Sequence, residues 1–268
     1  MDSLTTFADR RELERARALL ERLGVAHGVV SPDPGYACVG AGALVLSPEA
    51  RAAFLDGGGL DIVHAGWVDY REPRTSVPET AAPQFAEDVV GRVAVVVLVP
   101  CIADDTRLRL IAHFSGDVAE ALPYLNGELL KGSYVPAAHV FTYMDGHRMV
   151  SLFRDRIGIA KVDDIVDAWA SLERVRCLAN DVWSRRAQIA PSLETRRRPP
   201  ALEIYRRLPG TNCGQCGTPT CVAFAWAVWR GDAQPRACVP VFAGDRGELK
   251  EALLAICAGL GVVEPAED

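Results

Sequence analysis

The spacing of four cysteines constrains this chain more than any other feature. Cys213, Cys216, Cys221 and Cys238 follow the pattern C-x2-C-x4-C-x16-C, while Cys38, Cys101, Cys177 and Cys257 stand singly. Three thiols within nine residues, joined by a fourth from beyond a helix, can surround one compact inorganic core. Clustered thiols without an export signal read as metal ligands in a reducing compartment, not as a disulfide framework. The Met1-Asp2-Ser3 start has neither the basic residues nor the apolar stretch of a secretory signal, so the expected location is cytoplasmic.

The residues between the thiols fit the same purpose. Gly214 and Gly217 sit where a chain wrapping a small core needs tight turns and close backbone approach. Their amides can then point at cluster sulfurs. Thr218 and Pro219 read as the cap and first turn of a helix from Thr220 to Arg230. Cys221 falls in that first turn, at the partly positive end, which favours a thiolate. The helix is apolar nearly all round (Val222, Phe224, Ala225, Trp226, Val228, Trp229) and is expected to shield the core from water. Trp226 and Trp229 read as core residues rather than as an electron relay.

Two metals suit four cysteines. Zinc commonly takes two C-x2-C knuckles separated by roughly 15 to 20 residues. Here the third cysteine follows the second by only four residues, and no second C-x2-C pair exists. Three crowded cysteines and a distal one near a proline are the habit of cubane iron–sulfur sites, with Pro240 one step later than usual. The expected cofactor is one [4Fe-4S] cluster, with zinc as the alternative.

Residues 208–240 resemble the iron–sulfur domain shared by the B subunit of Rnf-type electron-transport complexes and the large subunit of the corrinoid iron–sulfur protein. The pattern that carries the resemblance is Leu208-Pro-x-Thr-Asn-Cys213-Gly-x-Cys216-Gly-x-x-x-Cys221 with a distal Cys238. It implies that these four cysteines are the ligands of the cluster. The first unit more weakly resembles small selenium/sulfur carrier-like domains, with a Pro-containing loop and one cysteine, Cys38, before glycines. That resemblance implies a thiol able to carry sulfur or selenium.

The remaining pattern predicts an α+β protein in three parts. Residues 4–70 form a small α+β unit: Asp9 caps a helix with Leu13, Ala16, Leu20 and Leu23 on one face, strands cover 25–30 and 43–46, and Ser47-Pro48 opens a second helix. Residues 75–83 read as a linker. Residues 89–190 form a mixed α/β middle unit with strands at 93–100 and 108–113 and a helix capped by Ser115 that runs to about Leu130. A hairpin of 134–143 and 148–153 turns on Asp145-Gly146, and a strand follows at 157–161. A long helix then runs from Asp164 to about Gln188. Residues 191–200, with Arg196-Arg197-Arg198, read as a positively charged linker. Residues 201–262 form a helical cluster-binding domain with flanking helices at 201–208 and 248–260.

Other groups carry less chemistry. The five histidines are far apart, and His113 and His139 in expected strands read as structural. Asp104-Asp105 suits a turn, Asp163-Asp164 a helix start, and Cys101 a buried strand end. No catalytic acid/base or nucleophile motif and no phosphate loop accompanies the cluster. A formal charge of −6 argues against a nucleic-acid partner, and no apolar run is long enough for membrane insertion. The expected function is electron transfer to a redox partner, tuned by burial and by Arg230 and Arg236. The alternatives are a maturation factor delivering sulfur, selenium or metal to a client protein through Cys38, and a zinc-stabilised interaction module.

Overall fold

A computed structural model describes residues 1–102, 104–129, 132–196, 200–243 and 247–259, with side chains to Cys257 in the last stretch. The expected helix end at Leu130, Arg197 and Arg198 of the basic linker, and the expected end of the last unit at 260–262 lie outside these residues. The architecture is α+β, with two antiparallel sheets followed by a helical C-terminal region.

The N-terminal sheet is built from β1 (Ser3–Thr6), β2 (Gly28–Val30), β3 (Ala43–Leu46) and β4 (Val68–Asp69), in the order β2-β3-β1-β4. Helix α1 (Arg10–Arg22) follows β1, and its cap is the expected one: Asp9 accepts from the Glu12 amide at 2.9 Å. Ser47 likewise caps α2 (Pro48–Asp56). The sequence pattern does not reveal β1. Four buried residues, Ser-Leu-Thr-Thr, give no hydrophobic alternation, and only pairing with β3 and β4 makes them a strand.

The middle sheet contains β5 (Val93–Cys101), β6 (Asp104–Phe114), β7 (Ser133–Val135), β8 (Val140–Asp145), β9 (Arg148–Phe153) and β10 (Arg156–Val162). Their order is β5-β6-β10-β9-β8-β7. The hairpin at Asp145-Gly146 is present, with Asp145 opposite Arg148 and Gly146 at φ 59°. The expected 134–143 strand is broken in two. Pro136, which has no amide to give a ladder, starts a 3-10 turn, and His139 reverses the chain at φ 46°. The helix α3 (Leu122–Glu128) starts later than expected, because Ser115 is occupied elsewhere: its hydroxyl accepts from the Arg92 amide at 2.9 Å.

Helix α4 (Ile165–Ser184) starts at Asp164, whose carboxylate accepts from the Asp167 amide, and a 3-10 turn at 186–188 completes it. It lies in the main core with Ile159, Val162, Trp169, Leu172 and Val175. That core also takes in Leu4, Val39 and Ala65 of the N-terminal region, so both sheets share it. Backbone bonds cross the same junction, from Val93 N–H to Cys38 O and from Leu98 N–H to Ala65 O.

One buried cation ties residues 83–91 to α4. Arg176 is 1% exposed and donates to Glu173 on its own helix, to Asp88 at 2.7 Å and to the carbonyl of Pro83 at 2.6 Å. Asp88 also accepts from Gly91 N–H and from Asn180. A buried guanidinium costs several kcal/mol unless its donors are met, and here carboxylates and a carbonyl meet them.

The C-terminal region contains α5 (Ala201–Tyr205), α6 (Cys221–Arg230), α7 (Val239–Phe242) and α8 (Gly247–Gly259). Its core is separate and small: Ile204, Leu208, Phe224, Ala225, Val228, Val241 and Leu253, with Cys221, Cys238 and Cys257. It meets the middle sheet at the far end of α6. Lys161, 7% exposed and turned out of β10 at a bulge (φ 67°), pairs with Asp232 and donates to Arg230 O at 3.4 Å. Gly231 ends α6 at φ 79°, and a Cβ there would stand 3.1 Å from His147 Cα. The positive φ calls for glycine at this seam, and the approach to His147 is tight as well.

Candidate metal centre

All four clustered cysteines line one small pocket, in the company of Asn212, Thr218, Phe224 and Pro240. They arrive on three pieces of local structure. Cys213 and Cys216 lie on the irregular segment between α5 and α6, Cys221 is the first residue of α6, and Cys238 joins a 3-10 turn (Pro235–Ala237) to α7. Among the described residues, no three or more His, Cys, Asp or Glu side chains converge on the site of a single metal ion. The four thiols stand around the cavity wall.

Two devices fold the knuckle. Asn212, Gly214 and Gly217 take φ of 49°, 71° and 82°, and Gly217 N–H closes onto Gly214 O at 3.0 Å. Left-handed backbone is where glycine and asparagine are tolerated. The glycine at 217 serves that turn rather than close packing, since a Cβ there meets no protein atom within 4 Å. Asn212 also reaches across the loop, its side-chain oxygen accepting from the Cys221 amide at 2.8 Å. One residue thus fixes the spacing of the Cys213 limb from the start of α6. The cysteine motif includes Asn212, but nothing in the sequence signals this contact.

The helix cap differs from expectation. Thr220 caps α6, its hydroxyl accepting from the Ala223 amide at 3.1 Å. Thr218 is free of that duty, and its hydroxyl lies 3.1 Å from the Cys216 sulfur. Cys221 keeps its place in the first turn, where the helix end favours negative charge.

The thiols are not equivalent. Cys213 is exposed, and hydrogen bonds from Gln215 N–H, then from Thr211, hold its pKa below the ordinary thiol value. Cys238 is buried, and burial first, then the neighbouring thiols of Cys216, Cys221 and Cys213, push its pKa up.

The expected apolar shield is only half realised. Phe224 is buried and lines the cavity, but Trp226 is 51% exposed. Trp226 packs edge-on to Trp229, and both line an apolar groove between α5 and α6 with Leu202 and Val222. One helix face can point at only one neighbour, and the core took Phe224, Ala225 and Val228. Arg230 is also not at the centre. It pairs with Asp232 at the other end of α6, about 14 Å from Cys221 at 1.5 Å per residue. Arg236 is exposed, two residues before Cys238.

Elsewhere, Cys101 is buried in β5, as expected. Asp104 accepts from the Thr106 amide, and Asp164 is the cap of α4. Cys38 is half-buried on an open cleft with Arg10, Arg92 and His113, which shares no residue with the four-cysteine cavity. His139 is a turn residue, and His147 faces Asp163 with burial lowering its pKa.

The comparisons bear on one segment. Residues 208–240 match the family model described as "Putative Fe-S cluster". Over 37 residues, 14% of this chain and 8% of the relative, the sequence is 57% identical to the corrinoid/iron-sulfur protein large subunit of Moorella thermoacetica. It is 48% identical over 40 residues to the acetyl-CoA decarbonylase/synthase complex subunit gamma 2 of Methanosarcina thermophila, 15% of this chain and 8% of that one. It is 51% identical over 43 residues to the B subunit of the ion-translocating oxidoreductase complex of Rhodobacter capsulatus, 16% of this chain and 23% of that one. The chain thus spans less than a quarter of each of these relatives. No solved structure matches. No helix among the described residues is long and apolar enough to cross a membrane. Residues 208–240 therefore match an iron–sulfur cluster family over a segment similar to parts of these subunits, and they adjoin a two-sheet α+β body.

Proposed function

We propose that this protein is a one-electron carrier holding one [4Fe-4S] cluster on Cys213, Cys216, Cys221 and Cys238. The observation that carries the reading is the single cavity lined by all four thiols. Thiols spread around a space suit a cubane with an iron at each of four corners, whereas zinc needs four sulfurs about 2.3 Å from one point. When bound, such a cluster stores and releases one electron.

The chain's own residues supply the rest. Cys221 opens α6, whose partly positive start favours an anionic group beside it. Phe224 and Pro240 exclude water from one side of the cavity. Cys213, on the exposed side, marks the edge a partner can approach most closely. The matched relatives are subunits of multi-protein complexes by name, which supports a protein partner. Clustered thiols of this kind suit a reducing compartment, in keeping with a cytoplasmic protein.

Anaerobic purification followed by iron and sulfide analysis tests the reading. The expected result is about four irons and four sulfides per chain and a paramagnetic signal on one-electron reduction. A colourless, iron-free protein with one bound zinc overturns it.

A further inference from the structure

Thr218 occupies one of the unspecified positions in the pattern that carries the family resemblance, so the motif does not dictate its role. The structure releases it from the role its sequence context suggested, because Thr220 caps α6. Its hydroxyl oxygen lies 3.1 Å from Cys216 Sγ, a short contact for a bond to sulfur. Both residues are half-buried and line the cavity. Either group could be the donor between a thiol and a hydroxyl. A metal-ligating cysteine is a thiolate, however, and has no proton to give. The threonine O–H is then the only donor in the pair.

We infer that Thr218 is a positioning residue that sets the reduction potential of the centre, by donating a hydrogen bond to the Cys216 thiolate. The inference rests on the cluster reading above. Reduction adds one negative charge shared between the core and its thiolates, and a charge-assisted hydrogen bond to one of them strengthens as that charge grows. Hydrogen bonds to cluster sulfurs are among the levers by which a protein raises the potential. No proton is transferred; the hydroxyl keeps its hydrogen in both oxidation states.

The test is a redox titration of the anaerobically purified full chain, followed by electron paramagnetic resonance, on wild type, Thr218→Val and Thr218→Ser. Valine keeps the shape and removes the donor, while serine keeps the donor. The expected result is equal iron and sulfide in all three, a midpoint shifted to more negative potential in Thr218→Val, and a Thr218→Ser midpoint at the wild-type value. Equal midpoints in loaded Thr218→Val and wild type overturn the inference and leave the cluster reading standing. Should Thr218→Val fail to take up iron, Thr218→Ala replaces it. Failure of both while Thr218→Ser loads normally overturns tuning in favour of a role in assembly. Iron-free wild type overturns both proposals together.

Discussion

The body and the iron–sulfur region solve the same folding problem with different materials. Among the described residues, the main core of the body gathers 30 buried apolar side chains from both sheets and α4. The C-terminal core gathers ten, and three of these are cysteines. A region of about 60 residues buries too little apolar surface to be comfortably stable without a staple, a metal or a partner surface. The difference teaches where stability comes from in each part. The body holds itself by burial and by the Arg176 knot, while on the proposed reading the C-terminal region is completed by an inorganic group on its thiols and by its seam at Lys161.

The largest effect expected from that contrast comes from removing a buried thiol proposed as a ligand. Cys221→Ser or Cys238→Ser should abolish nearly all bound iron. Hydrogen exchange should then show α5–α8 losing protection while β5–β10 keep theirs. Loss of protection in β5–β10 as well would show that the two regions do not fold separately.

The opposite perturbation falls on the body. Asp88→Ala, which leaves Arg176 short of a carboxylate, should cost about 3 kcal/mol in urea unfolding and leave iron content unchanged. Burial alone would raise the Asp88 pKa, but Gly91 N–H, Asn180 and Arg176 together hold it below the ordinary aspartate value. Its contribution is therefore fully present above the unfolded-state value and fades as pH falls through the lower folded one. The gap between variant and wild type should narrow in strong acid, and a gap that widens there would contradict this account.

A smaller effect is expected at the seam. Lys161→Met should lower stability by about 2 kcal/mol, the scale of a hydrogen bond to a charged group, with the loss centred on the end of α6. Hydrogen exchange at Arg230–Asp232 is the measurement, and unchanged exchange there would remove the seam from the account.

The mildest probe sharpens the contrast through two other thiols. Burial raises the pKa of Cys257 to about 12 in the C-terminal core. Burial and then Glu173 raise that of Cys177 to about 11 on α4. Both should resist alkylation at pH 8 in the iron-loaded protein. Iron removal should expose Cys257 to iodoacetamide and leave Cys177 protected, as read by mass spectrometry.

Much of this was legible in order along the chain. Asp9, Ser47 and Asp164 announce their helices because a capping side chain bonds an amide three residues away. Asp145-Gly146 announces its hairpin for the same local reason. What failed was non-local or competitive. Ser115 and Thr218 look like caps in isolation, but one is drawn to Arg92 and the other lies beside Cys216. Trp226 looks like core by composition, yet the face it occupies looks outward.

The sequence by itself determined the chemistry available: four thiols at a restrictive spacing, turns that admit their approach, and helices with written starts. Only the tertiary structure decided that all four line one cavity, that Arg176 closes on Asp88 from 88 residues away, and that Lys161 holds the far end of α6. The physical reason is range. Caps and turns are settled by bonds between neighbours in the chain, whereas a shared cavity or a buried ion pair exists only once distant segments have given up their water together.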